Sequence, residues 1–198
     1  MKTFLMLLFV SAISAGYIHS NENNTATINA TALKQAQFYK QRATFSCAPD
    51  LTLFNLEDSS NTIPLLDGWG HYEMPVTTNN DSAYIYFEQG INMYYGFHII
   101  ESLASFDKAT HFDPGFAMGY WGKALAYGPN INDLGYAASP DALKATQKAK
   151  ELSTGCTSVE KALIYAMQIR YSEDTTQTRE FLNQLYANAM KKAHQQFT

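Results

Sequence analysis

The sequence predicts an all-α protein built from stacked helical hairpins. The first observation is an internal similarity at a shift of 34 residues, which aligns residues 83–91 with residues 117–125. A period of this size is typical of repeats of paired helices. The second is the segment between the two copies, where one helical face recurs at three- and four-residue intervals: Ile99, Leu103, Phe106 and Thr110. The third is Asp113-Pro114, because a proline ring ends the helix that precedes it.

The residues that define this period resemble a known repeat family. In the first copy they are Ala83, Tyr86, Gly90, Ser102, Phe106, Ala109 and Pro114, and in the second copy they are Ala117, Tyr120 and Ala124. Their order and spacing are similar to those of the tetratricopeptide repeat, whose helical pairs stack into a right-handed superhelix. In such a pair Gly90 and Ser102 lie where the two helices cross, which leaves no room for larger side chains. Tyr86 and Phe106 then fill the space beside the crossing.

A longer set of motifs resembles one group within that family. It runs from His71 through Pro75-Val76-Thr77 to residues 86–90, continues over residues 112–122, and ends at Gly128-Pro129-Asn130. The group consists of exported bacterial tetratricopeptide-repeat proteins without an assigned biochemical activity. The resemblance covers about residues 68–197, so it implies the fold and leaves the function open.

Composition limits the classes of function. The chain has 198 residues, 46% of them hydrophobic, which is enough for one domain with a substantial core. Its formal net charge is −4, and its lysines and arginines form no cluster. A weakly acidic chain without a basic patch argues against nucleic acid as a partner.

The N-terminus has the form of a secretory signal. One lysine is followed by an apolar run over residues 4–10 and then by small residues up to Gly16. This pattern predicts a signal peptide over residues 1–16, cleaved after Ala15 or Gly16. The rival interpretation is an uncleaved anchor, but the apolar run is short for a bilayer span. We therefore expect a secreted or periplasmic protein without a stable membrane span after cleavage.

The region between the signal and the repeats has two parts. Residues 17–31 are polar and without periodicity, which predicts a flexible leader. Residues 32–78 predict one short helix and then an irregular segment over residues 45–69, which either caps the helical array or carries function. Three Asn-x-Ser/Thr triplets begin at Asn23, Asn29 and Asn80. They are glycosylation candidates only in a eukaryotic secretory pathway.

Residues 79–198 predict about three helical pairs. The second pair begins with a helix over residues 116–127, and its second helix opens at Ser139-Pro140-Asp141, which combines a cap residue with a first-turn proline. A capping box from Thr157 to Glu160 begins the third pair, with helices over residues 159–171 and 177–197. The last helix carries a broad apolar side without a further repeat to cover it. The chain is therefore either part of a longer array or associates with another subunit through this helix.

Sequence leaves two interpretations of the cysteines. Cys47 and Cys156 form a disulfide across a long loop, which export permits, or they are two separate thiols. Neither of them lies in a metal-binding spacing.

No motif in the chain indicates catalysis. The sequence contains no nucleophile elbow, zinc-protease motif, phosphate-binding loop or dinucleotide fingerprint. We therefore predict a protein that is not an enzyme, with no catalytic residues and no cofactor. His71, His98 and His111 are weak candidates for metal ligands, because their spacing fits no compact motif. They carry the alternative hypothesis of a metal-handling or enzyme-accessory protein.

The resemblance implies a ligand groove, since the first helix of each tetratricopeptide pair lines a concave surface. It assigns to that surface Tyr84, Phe87, Ile91, Tyr94, Tyr95, Met118, Trp121 and Leu125. Phe87 and Ile91 stand where chaperone-binding members carry Lys and Asn to hold a peptide carboxylate. The expected ligand is therefore an apolar or aromatic segment of a protein or peptide partner. In the alternative, the N-terminal segment fills the groove and these residues are core.

Overall fold

A computed structural model describes residues 55–129 and 139–197. Every regular element in these two ranges is helical, so the all-α prediction is confirmed for them. All of the described residues belong to one compact unit. None of their helices combines the length and the apolar character that a bilayer crossing requires. The leader, Cys47 and the helix expected after residue 32 lie outside the described residues.

The first described helix, α1 (Leu56–Thr62), corrects the expectation of an irregular segment over residues 45–69. Asn55 caps it by accepting a hydrogen bond from the Asp58 amide. Ser59 and Ser60 are buried, and their hydroxyls donate to backbone carbonyl groups one turn earlier. The helix packs on the third helix rather than presenting an apolar stripe of its own. A short helix of this kind lacks the periodicity that sequence reasoning relies on.

Six longer α-helices follow, with a short 3-10 turn at Ser153–Gly155 between the fourth and fifth of them. They are α2 (Asp81–Tyr95), α3 (Ile99–Phe112), α4 (Ala117–Ala126), α5 (Pro140–Glu151), α6 (Ser158–Arg170) and α7 (Arg179–Phe197). Two predicted starts are confirmed. Ser139 caps α5 with Pro140 in the first turn, and Thr157 and Glu160 form the capping box of α6.

The helices pack as hairpins placed side by side. Each of α2, α4 and α6 packs on the helix that follows it, and α3 packs on α4 as α5 packs on α6. The first helices also meet one another, because α2 contacts α4 and α4 contacts α6. The hairpins α2–α3, α4–α5 and α6–α7 therefore form a continuous array with one layer of first helices.

Phe106 lies at the centre of the core, between two glycines. It is 0% exposed, and a Cβ atom built on Gly90 would lie 2.7 Å from its ring. A Cβ atom on Gly122 of α4 would meet the same ring even more closely. Ser102 donates a hydrogen bond to the Gly90 carbonyl at 2.8 Å, so α2 and α3 cross at these two small residues. The close approach of three helices thus depends on the missing side chains.

Polar side chains connect the hairpins. Buried Asp107 on α3 pairs with Lys123 on α4, and His111 lies 3.6 Å from the same carboxylate. The Trp121 indole donates to the Leu163 carbonyl at 3.2 Å, and the Tyr171 hydroxyl donates to the Ala124 carbonyl at 2.7 Å. These bonds connect α4 to α3, to α6 and to the residue that follows α6, and they satisfy polar groups that the packing buries.

Candidate functional site

Two adjoining cavities form a groove along the layer of first helices. The larger has a volume of about 670 Å³ and lies between residues 72–77, α4, α6 and α7. The smaller has a volume of about 580 Å³ and lies between the end of α2, the turn after it, the end of α6, and α7. Tyr95, Leu125 and Tyr186 line both cavities. We refer to the two together as the groove.

Four of the residues predicted for a ligand surface line this groove. Trp121 and Leu125 contribute side chains that are 5% and 6% exposed. Tyr94 is half-buried, and Tyr95 is 65% exposed at the end of α2. Although much of the side chain is exposed, partial loss of hydration at the phenol raises the pKa of Tyr95, so the phenol is neutral at physiological pH and presents a hydroxyl and a ring. The first and second hairpins therefore each contribute aromatic or aliphatic surface.

The other four predicted residues do not line it. Phe87, Ile91 and Met118 are 0%, 1% and 0% exposed, and they belong to the hydrophobic core. The Phe87 ring lies between Phe106 and Phe116, with centroid distances of 5.5 and 5.3 Å. These three side chains cannot touch a ligand in this structure, because the surrounding core encloses them. Tyr84 faces elsewhere, and its hydrogen bond with Glu88 raises its pKa to about 12.

Residues 72–77 form one wall of the groove, and we call them the wall segment. At one end the Tyr72 amide donates to the Asn92 side chain at 3.1 Å, and the Asn92 amide group donates back to the Tyr72 carbonyl at 2.9 Å. At the other end the Thr77 amide and hydroxyl donate to the two carboxylate oxygens of Glu160, at 2.6 and 2.7 Å. The wall segment is therefore held to α2 and to α6.

Glu160 is a buried carboxylate that serves two purposes. It is 1% exposed, and it also accepts a hydrogen bond from the Thr157 amide in the capping box. Burial by itself raises the pKa of such a group, but the hydrogen bonds from Thr77 and Thr157 outweigh it, and the pKa of Glu160 lies below its ordinary value of 4.5. Glu160 is thus ionised near neutral pH, which strengthens its bonds to the wall segment.

Arg170 lies at the inner end of the smaller cavity and is 8% exposed. Its Nη2 donates to the Pro129 carbonyl at 2.6 Å, and its guanidinium carbon lies 4.7 Å from the centroid of the Tyr186 ring. Nε and Nη1 are enclosed by protein and have no hydrogen-bond partner among the described residues. Among the described residues, no carboxylate forms an ion pair with this guanidinium. A buried charge in this state has lost its hydration without full replacement.

Phe97 stands at the mouth of the same cavity with an unusual backbone. Its φ is 63°, in the left-handed region that glycine normally occupies after a helix. The amides of Phe97 and His98 donate to the carbonyls of Tyr94 and Met93, which gives the hydrogen bonds of a Schellman turn closing α2. The Phe97 side chain is 57% exposed. A strained backbone therefore holds a large aromatic ring at the rim of the groove.

The three histidines lie apart from one another in contact with different groups. The His98 ring is edge-on to Trp69 at 4.3 Å, His111 faces Asp107, and His71 is exposed. In the described parts of the chain, no three residues of His, Cys, Asp or Glu are close enough to hold a metal ion. Cys156 is a buried free thiol whose pKa burial raises, and its suggested partner Cys47 lies outside the described ranges.

Sequence reasoning did not find Arg170, Phe97 or the wall segment as parts of the site. For Arg170 one signal was available, since it is a charged residue that follows apolar positions of α6 at helical spacing, Ile164 and Met167. A lone charge on a core-facing stripe requires a partner or a function. Phe97 and the wall segment gave no local signal of this kind. The residues that define the repeat are buried or half-buried except Pro114, which is exposed after α3.

Comparison with known proteins leaves the family open. No model of a protein family matches the chain, and neither a curated protein nor a solved structure matches it. The likeness to the tetratricopeptide repeat therefore stays a prediction from the sequence motif.

Proposed function

We propose that this protein is an exported scaffold of tetratricopeptide-like hairpins that binds a segment of another protein in the groove. The observation that carries the proposal is the groove itself, which passes through two cavities and is lined by aromatic and aliphatic side chains from three hairpins. Surfaces that are concave, largely apolar and provided with a few polar groups are typical of binding sites.

The shape and lining of the groove favour an extended segment with apolar or aromatic side chains. The two cavities adjoin, so successive side chains of one segment can enter each of them. Tyr95 and Tyr186 offer ring surface with few rotatable bonds, which makes binding less costly in entropy, while Trp121 lines the groove with a small exposed edge. In the free protein these rings are partly exposed to water. A partner that covers them buries apolar surface, which stabilises the complex.

A selection from a library of random peptides tests this proposal. We expect enriched peptides to carry aromatic or aliphatic residues and to lose about tenfold in affinity for Tyr95→Ala, because a central aromatic contact contributes at least 1–2 kcal/mol. Tyr165→Ala is the matched control, since Tyr165 on α6 is exposed to a similar extent, at 62%, and lines neither cavity. Equal loss for both variants, or no enrichment, contradicts the proposal.

Export is tested separately. We expect the mature protein recovered from the secreted or periplasmic fraction to begin at Gly16 or Tyr17, as intact mass would show. Recovery of the full-length chain from the cytosolic fraction alone contradicts export. The metal-handling alternative gains no support from the positions of His71, His98 and His111, which lie in different surroundings.

The last helix remains the place where a second subunit or a further repeat would join. Phe181 on α7 is 51% exposed, and only Leu182 and Ala193 of this helix are buried. Sedimentation of the wild-type protein and of Phe181→Glu distinguishes the arrangements. Self-association through α7 predicts a dimer for the wild type and a monomer for Phe181→Glu. An array that is continued by further repeats instead predicts a monomer for both proteins.

A further inference from the structure

The end of the groove next to Arg170 combines a positive charge with an aromatic wall. Its cavity of about 580 Å³ is lined by Tyr94, Tyr95, Phe97 and Tyr186 around the guanidinium. Burial raises the pKa of Tyr186, although the charge of Arg170 opposes this effect. The Tyr186 phenol is therefore neutral at physiological pH and cannot balance the charge. Among the described residues, no carboxylate lines this cavity.

Among the described residues, the contacts of Arg170 do not neutralise its positive charge. The Pro129 carbonyl satisfies one donor on Nη2, while Nε and Nη1 remain without partners. The Tyr186 ring offsets part of the lost hydration through its π face. A neutral carbonyl and the two rings of Tyr171 and Tyr186 do not replace a counter-ion, because an ionised partner makes hydrogen bonds about twice as strong. An arriving anion therefore gains more here than at an exposed arginine.

Phe97 supplies a second, independent indication at the same cavity. A left-handed backbone costs a residue with a Cβ atom about 1–2 kcal/mol, and glycine would avoid this cost. Phenylalanine occupies the position, and its ring remains largely exposed instead of packing in the core. Strain of this kind collects at ligand sites, where the side chain contributes to binding.

We infer that this end of the groove receives a carboxylate that is carried on an aromatic or apolar body. The carboxylate approaches Arg170, and the body packs against Phe97 and Tyr95. A phosphate is less suitable, because it would bring up to two negative charges into an apolar cavity that holds one guanidinium. This inference rests on the proposed function only in using the same groove as the ligand site.

A pair of small probes that differ in charge tests the inference on the wild-type protein. Isothermal titration calorimetry compares 3-phenylpropionate with 3-phenylpropionamide, which has nearly the same shape. We expect the acid to bind about tenfold more tightly, which corresponds to one charge-assisted hydrogen bond of about 1.4 kcal/mol. Equal affinity, tighter binding of the amide, or no binding of either probe at millimolar concentration overturns the inference.

Substitutions then place the preference at this cavity. Arg170→Met keeps an unbranched stem but removes the guanidinium, and it should abolish the preference for the acid, whereas Arg170→Lys should keep part of it. Lys161→Met is the matched control, because it removes one positive charge from an exposed position on the same helix. If Arg170→Met does not fold, Arg170→Lys still reports on the acid preference, and Phe97→Gly reports on the affinity for both probes. Full retention of the preference in Arg170→Lys together with unchanged affinity in Phe97→Gly contradicts the assignment to this cavity.

Two peptide probes separate the sources of the carboxylate. Acetyl-Phe-Glu-amide carries it on a side chain, and its counterpart acetyl-Phe-Gln-amide lacks it. Tighter binding of the glutamate peptide indicates an acidic residue in a partner segment, while preference only for the free acid indicates a small organic acid. If the acid preference fails but selected peptides still depend on Tyr95, the inference is lost and the scaffold proposal stands. The reverse result removes the scaffold proposal and keeps the carboxylate site.

Discussion

Phe106 and Tyr95 belong to the same hairpin, yet one is 0% exposed and the other is 65% exposed. Around Phe106 the facing positions are Gly90 and Gly122, so three helices close over the ring. Around Tyr95 the facing side chains are the large Leu125 and Tyr186, and open volume is left between them. The comparison shows that the size of the neighbours, more than the type of residue, decides whether an aromatic ring becomes core or binding surface.

The largest effect on the free energy of unfolding is expected for the core residue Phe106. Phe106→Ala should lower the free energy of unfolding by about 3–5 kcal/mol, because it removes a fully buried ring and leaves a cavity between two glycines. Urea unfolding followed by circular dichroism measures it. Phe181→Ala is the matched control at 51% exposure, and we expect a loss of about 0.5 kcal/mol or less. Similar losses for both variants would show that the core does not close on Phe106 as described.

An intermediate effect is expected where the wall of the groove is attached. Glu160→Gln should cost about 2 kcal/mol at neutral pH, because it weakens the bonds from Thr77 and Thr157. The pKa of Glu160 is lowered on folding, so its contribution is present above the unfolded value of about 4.5 and disappears as the pH falls through the folded value. The difference between wild type and variant should therefore shrink in acid.

Unfolding midpoints measured between neutral pH and about pH 3 test that dependence. Glu151→Gln serves as the control, since Glu151 is exposed on α5 and its change should remain within about 0.5 kcal/mol. A difference in unfolding midpoint between Glu160→Gln and wild type that stays constant down to the lowest pH would contradict the described hydrogen bonds.

The smallest effect on the free energy of unfolding is expected at the groove, and it has the opposite sign. Phe97→Gly should raise the free energy of unfolding by roughly 1 kcal/mol, since glycine accepts the left-handed backbone without strain. The same variant should weaken binding of 3-phenylpropionate, because the rim loses its ring. Phe112→Gly, at a helical position with 44% exposure, should instead destabilise by about 1 kcal/mol. Destabilisation by both substitutions would remove the argument from strain.

Sequence predicted the parts of the fold that local chemistry determines. The helix from Ile99 to Phe112 begins and ends as its periodicity and the following proline indicate, and the capping box at Thr157 lies where its residues place it. These signals act over one or two helical turns. Helix α1 was missed because its cap at Asn55 is not followed by an apolar stripe.

The groove was predicted only in part, because coverage by a neighbouring helix is not a local property. Phe87 and Tyr95 share a helix, and Phe87 is core because Phe106 of α3 and Phe116 before α4 pack on it, whereas Tyr95 remains exposed. The state of Arg170 depends on Pro129 and Tyr186, which lie 41 residues before it and 16 residues after it. A repeat pattern in the sequence does not predict contacts between residues this far apart.

The attachment of Thr77 to Glu160 has a consequence for how the array comes apart. A linear array in which each hairpin touches only its neighbours can fray from one end while the remainder stays folded. Here a bond across 83 positions of the chain joins the stretch before the first hairpin to the start of the last one. Unfolding of the C-terminal hairpin would therefore also release the wall segment at the opposite end. The molecule should melt as a single unit, and its groove should vanish at the same temperature as its core.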